Sequence, residues 1–333
     1  MKPWYLQTGD EGDIVLSTRV RLARNIEDYP FPLRLDGEGC RTVSGIVEGT
    51  LSDEDKFCVM NMESLSPAMA GSLAEKHLIS PEFAAERSGR SLILSKDESV
   101  SIMLCEEDHI RLQVLRPGFA LREALDSALE IEKKLHEKIK FAYDERIGFL
   151  TQCPTNLGTA LRASVMLHLP ALTRMRQIPR LAQMVAKLGL TIRGAFGEGT
   201  TPAGDFYQLS NQITLGITAE AATENLGAIA LKLIAQERES QKKLCEDINQ
   251  QDAIYRALGT LQNARILGSK ECLQALSLVR MGAAQSIYTI SMDVLNELLI
   301  TLLPATLNAA NENTLSPEER DVLRAEIVRN ALI

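Results

Sequence analysis

Short apolar runs separated by polar residues fill the stretch from Arg90 to Leu115. The runs read RSLILS, VSIMLC and HIRLQVL, with KDE and EED between them. This arrangement is typical of successive antiparallel strands. After Arg116-Pro117-Gly118 the apolar positions follow helical spacing with charges opposite, at Leu121, Ala124, Leu125, Ala128, Leu129, Ile131 and Leu135. The pattern therefore predicts a sheet with a helix packed on it.

The middle of the chain mixes both kinds of periodicity. We predict a second helix from Ala160 to His168 and a third helix before Gly189. The segments TIRGAF and FYQLSNQITLG then return to strand-like composition. Because strands and helices follow in mixed order rather than as regular βαβ units, the pattern favours an α+β fold.

The C-terminal third is almost entirely helical in period. The stretch from Ala219 to Leu244 contains no strong helix breaker, and helical spacing continues after it. We therefore predict a separate all-helical domain at the C-terminus. The predicted domains are residues 1–240, catalytic, and residues 241–333, with a regulatory or dimerisation role, although no Pro- or Ser-rich linker separates them.

Composition limits the class of protein. A chain of 333 residues with 45% apolar content can bury two cores, and its 44 acidic against 36 basic residues give a net charge of −8. That charge argues against a protein whose main partner is nucleic acid. The segment MKPWYLQTGDEGD has no signal-peptide core, and no later stretch is apolar enough to span a bilayer. We therefore expect a cytoplasmic protein without membrane partners.

Cysteine and histidine spacing predicts no bound transition metal. The six cysteines form no CxxC pair, and the four histidines show no spacing typical of metal ligands. Most of these cysteines are expected to be small buried apolar residues.

Arg19 and Arg21 are two residues apart in Ser17-Thr18-Arg19-Val20-Arg21. In an extended segment both guanidinium groups project to the same face, where they could bind one polyphosphate. Considered alone, the motif favours an exposed basic strand over a phosphate site.

Acidic residues supply candidate catalytic groups in two places. In the segment Cys105 to Arg111, strand alternation would place Glu107, His109 and Arg111 on one face, although a surface acidic turn is the alternative. Glu198 lies in a glycine-rich segment that could close over a substrate or could be an ordinary loop. A guanidinium, with its high pKa, is a poor nucleophile until carboxylates orient it and accept a proton.

Cys153 begins the segment CPTNLGT, which the sequence predicts to be a turn feeding a helix. A helix N-terminus favours a thiolate, whereas a buried inert cysteine is the alternative.

Protein kinases of the standard type and P-loop enzymes are excluded, because GxxxxGK[ST], HRD and DFG are all missing.

Four motifs taken together resemble those of phosphagen (guanidino) kinases. They are STRVR, CEEDHIR, CPTNLGT with the following LRAS, and RG with a nearby Glu. The resemblance runs from about Asp13 to Ser240. The finer motifs RLARN, EKHLISP, RASVMLHLPAL, GEG and QLSNQITLG resemble the bacterial subgroup that phosphorylates arginine in proteins. The resemblance implies an antiparallel sheet flanked by helices, related to the catalytic domain of glutamine synthetase.

The resemblance also implies the residues of the site. ATP phosphates would bind Arg19, Arg21, Arg111, Arg162 and Arg193, and Mg²⁺ would enter with the nucleotide. The other implied ATP-site residues are Ser17, Thr18, Val20, His77, Ala163, Ser164, Val165, Met166, Gly194, Ala195, Phe196, Gly197 and Glu198. Glu107 and Glu198 would hold the target guanidinium, Glu107 as the principal base, with Cys153 in support. The chain departs from the family pattern at Cys105, where Asn is usual, and in the residues after Gly199.

The segment Ser316-Pro317-Glu318-Glu319-Arg320 predicts the start of a helix, with a capping box from Ser316 to Glu319. The string that follows resembles the phosphoarginine-binding motif of the same subgroup, which implies a pocket formed by Arg320, Asp321, Val322, Leu323, Arg324 and Ala325. Arg320 and Arg324 would bind the phosphate and Asp321 the guanidinium. A solvated helix face is the alternative.

Two other functions remain open at this point: a kinase for a free guanidino metabolite such as arginine, and a non-catalytic adaptor that binds phosphoarginine. Metabolite kinases carry a longer helical domain before STRVR, whereas here that motif begins at Ser17, which favours a protein substrate. The resemblance further implies protein substrates with exposed arginines, a homodimer, the activator McsA and degradation by the ClpC/ClpP protease.

Overall fold

The computed structural model describes residues 2–51, 55–195, 202, 204–311 and 314–332. Within them, eight strands form one sheet in the order β2-β3-β4-β5-β1-β8-β10-β9, and each neighbouring pair is antiparallel. These strands are β1 Val15–Arg24, β2 Phe57–Asn61, β3 Ser91–Ser95, β4 Val100–Leu104, β5 Ile110–Pro117, β8 Leu161–His168, β9 Leu190–Gly194 and β10 Phe206–Asn211. A small hairpin pairs β6 Tyr143–Asp144 with β7 Gly148–Phe149. The predicted α+β fold with an antiparallel sheet is confirmed.

Helices cover the sheet and form the C-terminal third of the chain. Those of the first part are α1 Gly37–Leu51, α2 Pro67–Glu75, α3 Pro81–Ala85, α4 Leu121–His136, α5 Pro170–Arg174 and α6 Ile178–Ala186. They are followed by α7 Ala219–Leu244, α8 Ile248–Asn263, α9 Ser269–Ala284, α10 Met292–Thr301, α11 Pro304–Ala309 and α12 Pro317–Ala331. The strands predicted between Arg90 and Leu115 and the helix predicted after Gly118 form where the apolar pattern places them.

The helix predicted from Ala160 to His168 is wrong, because Leu161–His168 form strand β8. Antiparallel neighbours lie on both sides of it, β1 and β10, so both edges of its backbone are hydrogen-bonded. Its side chains are buried on both faces of the sheet, with Ala163 and Val165 on one and Met166 on the other. Burial on both faces removes the alternation that marks a strand, and long-range pairing then overrides the helix preference of Ala, Leu and Met.

The two faces of the sheet pack against different helices. One face, with Val20, Leu112 and Val165, lies in a core with α4 and α7. On the other face, Leu115 and Met166 belong to a core that also contains residues of α2, α9 and α10. Helices α9 and α10 therefore lie on the same face of the sheet that carries the arginines described below, whereas α7 lies on the opposite face. Residue 240, the predicted domain boundary, lies inside α7, and the division into domains stays a prediction.

No helix in the described part of the chain is both long and apolar enough to cross a membrane.

Candidate active site

Four strands of the sheet, β5, β1, β8 and β9, bring the five predicted phosphate-binding arginines to one face. In β1, Arg19 and Arg21 alternate with buried residues; Arg21 lies opposite Arg162 of β8, and Arg111 of β5 lies opposite Ala23. Gln208 of β10 lies opposite both Met166 of β8 and Arg193 of β9. Arg193 therefore projects to the same face of the sheet as Met166 and the other arginines. Directly opposed residues of antiparallel strands project to the same side, so register alone gathers these side chains.

The clustered arginines repel one another electrostatically, and burial limits how far water can screen this repulsion. Burial, followed by the charge of Arg111, lowers the pKa of Arg19 to about 10. Burial also lowers the pKa of Arg21 well below its usual value, with further contributions from Arg19, Arg111 and Arg162. Bringing a polyanion to this face would relieve that repulsion, since each phosphate oxygen can accept charge-assisted hydrogen bonds. The arrangement fits the binding of a polyphosphate.

In the described part of the chain, hydrogen bonds orient the guanidinium groups of Arg19, Arg111 and Arg162, and that of Arg111 donates to the Glu106 carboxylate. Arg19 Nη2 donates to Gln208 Oε1 at 3.1 Å. Arg162 donates from Nη1 to the Asn211 carbonyl at 3.0 Å and from Nε to Asn156 Oδ1 at 3.2 Å. Arg21 Nε is buried and has no hydrogen-bond acceptor in the described part of the chain. Its donor is thus available to a ligand.

Glu107 lies beside these arginines in a cavity of about 240 Å³. The cavity is also lined by Arg21, Arg111, Cys153, Asn156 and Arg162. Burial, and next the charge of Asp108, raises the pKa of Glu107, while Arg111 and Arg162 oppose the rise. A carboxylate with a raised pKa next to a cationic cleft is suited to accept a proton from a bound guanidinium.

Glu106 and Asp108 support this turn, in roles that the sequence prediction did not include. The Glu106 carboxylate forms an ion pair with Arg111, accepts a hydrogen bond from Ser80 Oγ at 2.6 Å and accepts one from the Glu107 amide at 2.9 Å. Asp108 Oδ1 accepts from the Gln152 amide at 2.8 Å, which ties the Glu107 turn to the Cys153 segment. Their only sequence signal was the acidic run itself.

His109 does not share a face with Glu107 and Arg111, contrary to the sequence prediction. Its Nδ1 accepts a hydrogen bond from the Ile26 amide at 3.0 Å, and its Nε2 lies 2.8 Å from the Pro30 carbonyl. The reason is that residues 105–109 form a turn and β5 begins only at Ile110, so strand alternation does not apply before that point.

Cys153 lines the cavity, but the predicted helix after it is wrong. A short 3₁₀ turn, Pro154–Asn156, follows the cysteine and leads to strand β8. The thiol Sγ lies 3.1 Å from Thr155 Oγ1. Arg162 is close enough that the two groups interact electrostatically. Arg162, rather than a helix terminus, is therefore the charged neighbour of this cysteine.

A smaller cleft next to Arg19 gathers other residues of the implied ATP site. Ser17, His77, Ser164 and Met166 line it, together with Leu115 and Gln208. His77 has a positive φ of 59°. Burial of its ring and the nearby charge of Arg19 lower its pKa to about 3, so this imidazole is neutral at physiological pH.

Four residues of the implied ATP site project away from the arginine face. Val20, Ala163 and Val165 are fully buried in the core with α4 and α7, and Thr18 Oγ1 donates to the Gly118 carbonyl at 2.7 Å. Period-two alternation along β1 and β8 forces this orientation, so the structure does not bring their side chains into the site.

The end of β9 is only partly described. Gly194 is the last residue of that strand, and the Ala195 amide donates to the Phe206 carbonyl at 2.8 Å. Phe196, Gly197 and Glu198 lie outside the described residues.

At the C-terminus, α12 begins with the predicted capping box. Ser316 Oγ accepts from the Glu319 amide at 3.2 Å, and Glu319 Oε2 accepts from the Ser316 amide at 2.7 Å. Of the remaining implied pocket residues, Val322 is exposed, Leu323 is partly exposed and Ala325 is buried.

The two arginines of the implied phosphoarginine pocket differ in exposure. Arg324 is buried; its Nε donates to the Leu302 carbonyl at 3.0 Å, its Nη1 donates to the Leu267 carbonyl at 2.8 Å, and it forms an ion pair with Asp321. Arg320 is partly exposed, with one hydrogen bond to the Leu315 carbonyl at 3.0 Å. Arg320 and Arg324 are four residues apart, which places both on one side of the helix. Because of the way α12 packs on its neighbours, however, Arg324 points into the protein.

No group of three or more His, Cys, Asp or Glu side chains in the described ranges is arranged to hold a metal ion.

Comparison with protein families gives two matches that together span most of the chain. The family model for ATP:guanido phosphotransferase, C-terminal catalytic domain, matches residues 40–240. The family model for the protein-arginine kinase McsB C-terminal domain matches residues 247–333.

Curated relatives align with nearly the whole chain. The protein-arginine kinase of Geobacillus sp. (strain WCH70) is 44% identical over 337 residues, covering 99% of this chain and 93% of the relative. The protein-arginine kinase of Bacillus subtilis (strain 168) is 43% identical over 340 residues, covering 100% and 93%.

Solved structures share the fold of about two thirds of this chain or slightly more. The duplicated taurocyamine kinase from Schistosoma mansoni, with bound transition state analog components, superposes with a TM-score of 0.61 at 28% identity. That match covers 68% of this chain and 33% of the duplicated protein. Lombricine kinase superposes with a TM-score of 0.60 at 23% identity, covering 72% of this chain and 71% of that structure, which shows similarity of fold.

Proposed function

Because this chain belongs to the ATP:guanido phosphotransferase family and aligns along nearly its whole length with protein-arginine kinases, we propose that it transfers the γ-phosphoryl group of ATP to arginine side chains of proteins. The observation that carries the proposal is the face of five arginines with Glu107 beside it. The arginines that can bind a polyphosphate therefore lie next to Glu107, the carboxylate that can accept a proton from a guanidinium.

The described residues divide the chemistry between them. Arg19, Arg21 and Arg111 bind phosphate oxygens, and Arg162 neutralises charge that develops as the γ-phosphoryl group leaves ADP. Glu107 orients the substrate guanidinium and accepts its proton as the new N–P bond forms and the bond from phosphorus to the β,γ-bridging oxygen breaks. Glu198, by family resemblance, holds the guanidinium from a second side.

The residues fit a Mg²⁺ ion that arrives on the nucleotide. Magnesium prefers oxygen ligands and keeps several waters, so phosphate oxygens and water can provide most of its coordination. The described cleft contributes mainly arginines, with Glu107 and Asp108 as its carboxylates, rather than an acidic cluster arranged for a metal. The ion would neutralise part of the negative charge of the phosphates, and these arginines would neutralise another part.

The proposed activity predicts acid-labile phosphate on arginine. The protein is incubated with ATP and Mg²⁺, an arginine-containing test protein and free arginine, and the products are mapped by mass spectrometry at neutral pH. We expect phosphoarginine to form in the test protein at a higher rate than free phosphoarginine. Preferential phosphorylation of free arginine would favour a metabolite kinase instead, and no phosphoarginine in either substrate would favour an adaptor.

Partners and location belong to the same proposal. By family resemblance, the protein acts in the cytoplasm as a homodimer, is activated by McsA, and marks substrates for the ClpC/ClpP protease. The match of residues 247–333 to the McsB C-terminal domain supports this assignment to the subgroup.

The C-terminal pocket predicts that phosphoarginine binds near the start of α12. We expect Arg320→Ala and Asp321→Ala each to weaken binding of phosphoarginine about tenfold or more, since each removes a charge-assisted contact worth about 1.5–3 kcal/mol. Isothermal titration calorimetry with free phosphoarginine measures the dissociation constants. Unchanged affinity in both variants would leave α12 as an ordinary packing helix.

Arg324→Ala serves as the stability control for that measurement. Loss of the Arg324 guanidinium leaves the Leu302 and Leu267 carbonyls without this hydrogen-bond donor. We therefore expect the free energy of unfolding of Arg324→Ala to fall by about 2–4 kcal/mol. Arg320→Ala, at a partly exposed site, should lower it by less than about 1 kcal/mol. Urea unfolding of both variants separates a binding role from a structural one.

A further inference from the structure

Helix α2 and helix α11 are far apart in sequence but lie in close contact. A Cβ at Gly71 would come within 2.8 Å of Ala305 Cβ, so a side chain there would press against α11. Ser72 Oγ donates to Thr306 Oγ1 at 3.2 Å. This contact joins the N-terminal part of the fold to the C-terminal helices.

Glu75, the last residue of α2, makes the polar centre of this contact. Its Oε1 accepts a hydrogen bond from the Ala305 amide at 2.9 Å. Its Oε2 accepts from the Thr306 amide at 2.7 Å and from Thr306 Oγ1 at 2.8 Å. The first amides of a helix have no acceptor within the helix, so a carboxylate from elsewhere satisfies them and is favoured by the helix dipole. Both carboxylate oxygens are used, which fixes the end of α2.

The end of α2 in turn sets the position of His77, two residues beyond Glu75. The His77 amide donates to the Ala74 carbonyl at 2.9 Å, and the Leu78 amide donates to the Leu73 carbonyl at 2.9 Å. His77 adopts the left-handed conformation that ends the helix. Gln113 Nε2 donates to the His77 carbonyl at 2.6 Å. A shift of α2 would therefore move His77.

His77 faces the nucleotide side of the sheet. It lines the cleft with Ser17, Arg19 and Met166, and its ring is close enough to Arg19 for electrostatic interaction. Two residues before α11, the Leu302 carbonyl accepts a hydrogen bond from Arg324 Nε of α12. The segment 302–306 is thus bonded both to α12 and to Glu75.

We propose that Glu75 is a positioning residue for ATP: by binding the first turn of α11 it fixes α2, and so places His77 beside Arg19. The inference rests on the proposed function, because the cleft next to Arg19 is taken as the nucleotide site. It gives the C-terminal helices a direct part in the affinity for ATP. Glu75 itself does not line the cleft.

The test compares Glu75→Gln with Ser66→Ala. Glu75→Gln keeps the shape of the side chain but loses its charge and turns an NH₂ group toward the α11 amides. Ser66 caps the other end of α2, accepting from the Met69 amide at 3.1 Å, so Ser66→Ala destabilises the same helix and keeps the Glu75 carboxylate that binds α11. Thermal unfolding verifies that both variants are folded.

ATP affinity is measured at equilibrium by displacement of a fluorescent ATP analogue, which does not require catalysis. We expect Glu75→Gln to weaken ATP binding about fivefold or more, the lower end of typical coupling between sites. The KM for the protein substrate should stay within about twofold, and Ser66→Ala should leave ATP affinity within about twofold of wild type.

Equal ATP affinity in wild type and Glu75→Gln would overturn the proposal. Equal weakening in both variants would also overturn it, because general loosening of α2 would then explain the effect. A wild-type protein that binds ATP but phosphorylates no arginine would contradict the proposed function, while the affinity comparison would still decide the role of Glu75.

Discussion

Glu107→Gln is expected to slow phosphoryl transfer about a hundredfold or more while the protein stays folded. Glutamine keeps the size of the side chain and one oxygen acceptor, but it cannot take the proton that the guanidinium must lose. Glu107 and Asp108 both line the cavity, but Asp108 Oδ1 accepts hydrogen bonds from Asn25 and the Gln152 amide. Glu106 is occupied by Arg111 and Ser80, which leaves Glu107 as the carboxylate for the substrate. Single-turnover transfer to an arginine-containing test protein measures the effect.

The dependence of the rate on pH gives a second readout of Glu107. The carboxylate must be ionised to accept a proton, so the rate falls as pH decreases through its pKa. Since burial and Asp108 raise that pKa, the fall should begin at a higher pH than for an ordinary glutamate. Glu107→Gln should lose this acid limb.

The exposed Glu145→Gln is the matched control and should behave as wild type in both rate and pH profile. Glu198→Gln is expected to reduce the rate similarly by family resemblance. Near-normal turnover in both the Glu107 and Glu198 variants would remove the paired carboxylates from the mechanism.

Arg162→Ala is expected to lower kcat/KM by about 10²–10³, a loss of about 3–4 kcal/mol of transition-state stabilisation. Arg162 lies opposite Arg21 and lines the Glu107 cavity, so its charge is near both the phosphates and the base. Its bonds to the Asn211 carbonyl and Asn156 hold the guanidinium in advance of substrate binding. Such preorganisation makes the charge more effective than a mobile one.

Steady-state kinetics with ATP as the varied substrate measure this loss. Arg162→Lys should recover only part of it, because lysine keeps the charge but not the forked geometry. Arg122→Ala, on the exposed face of α4, is the control and should leave turnover unchanged. An Arg162→Ala protein with normal kcat and KM would contradict a role in charge stabilisation.

Some features of this protein follow from local sequence alone. The spacing of Arg19 and Arg21 places both on one face of any extended strand, and β1 has that arrangement. The polar turns between the apolar runs locate β3, β4 and β5, and the capping box at Ser316 begins α12. These signals depend on neighbours within a few residues, which the sequence displays directly.

The tertiary structure decided the features that depend on distant partners. Strand β8 has helix-forming composition, and only pairing with β1 and β10 makes it a strand. Arg111 pairs with Glu106 rather than Glu107 because the turn before β5 departs from alternation. Arg324 is buried because α12 docks with that side inward, where the carbonyls of Leu302, just after α10, and Leu267, in the loop before α9, accept its hydrogen bonds. In each case the deciding free energy comes from contacts between segments remote in sequence, which local periodicity does not record.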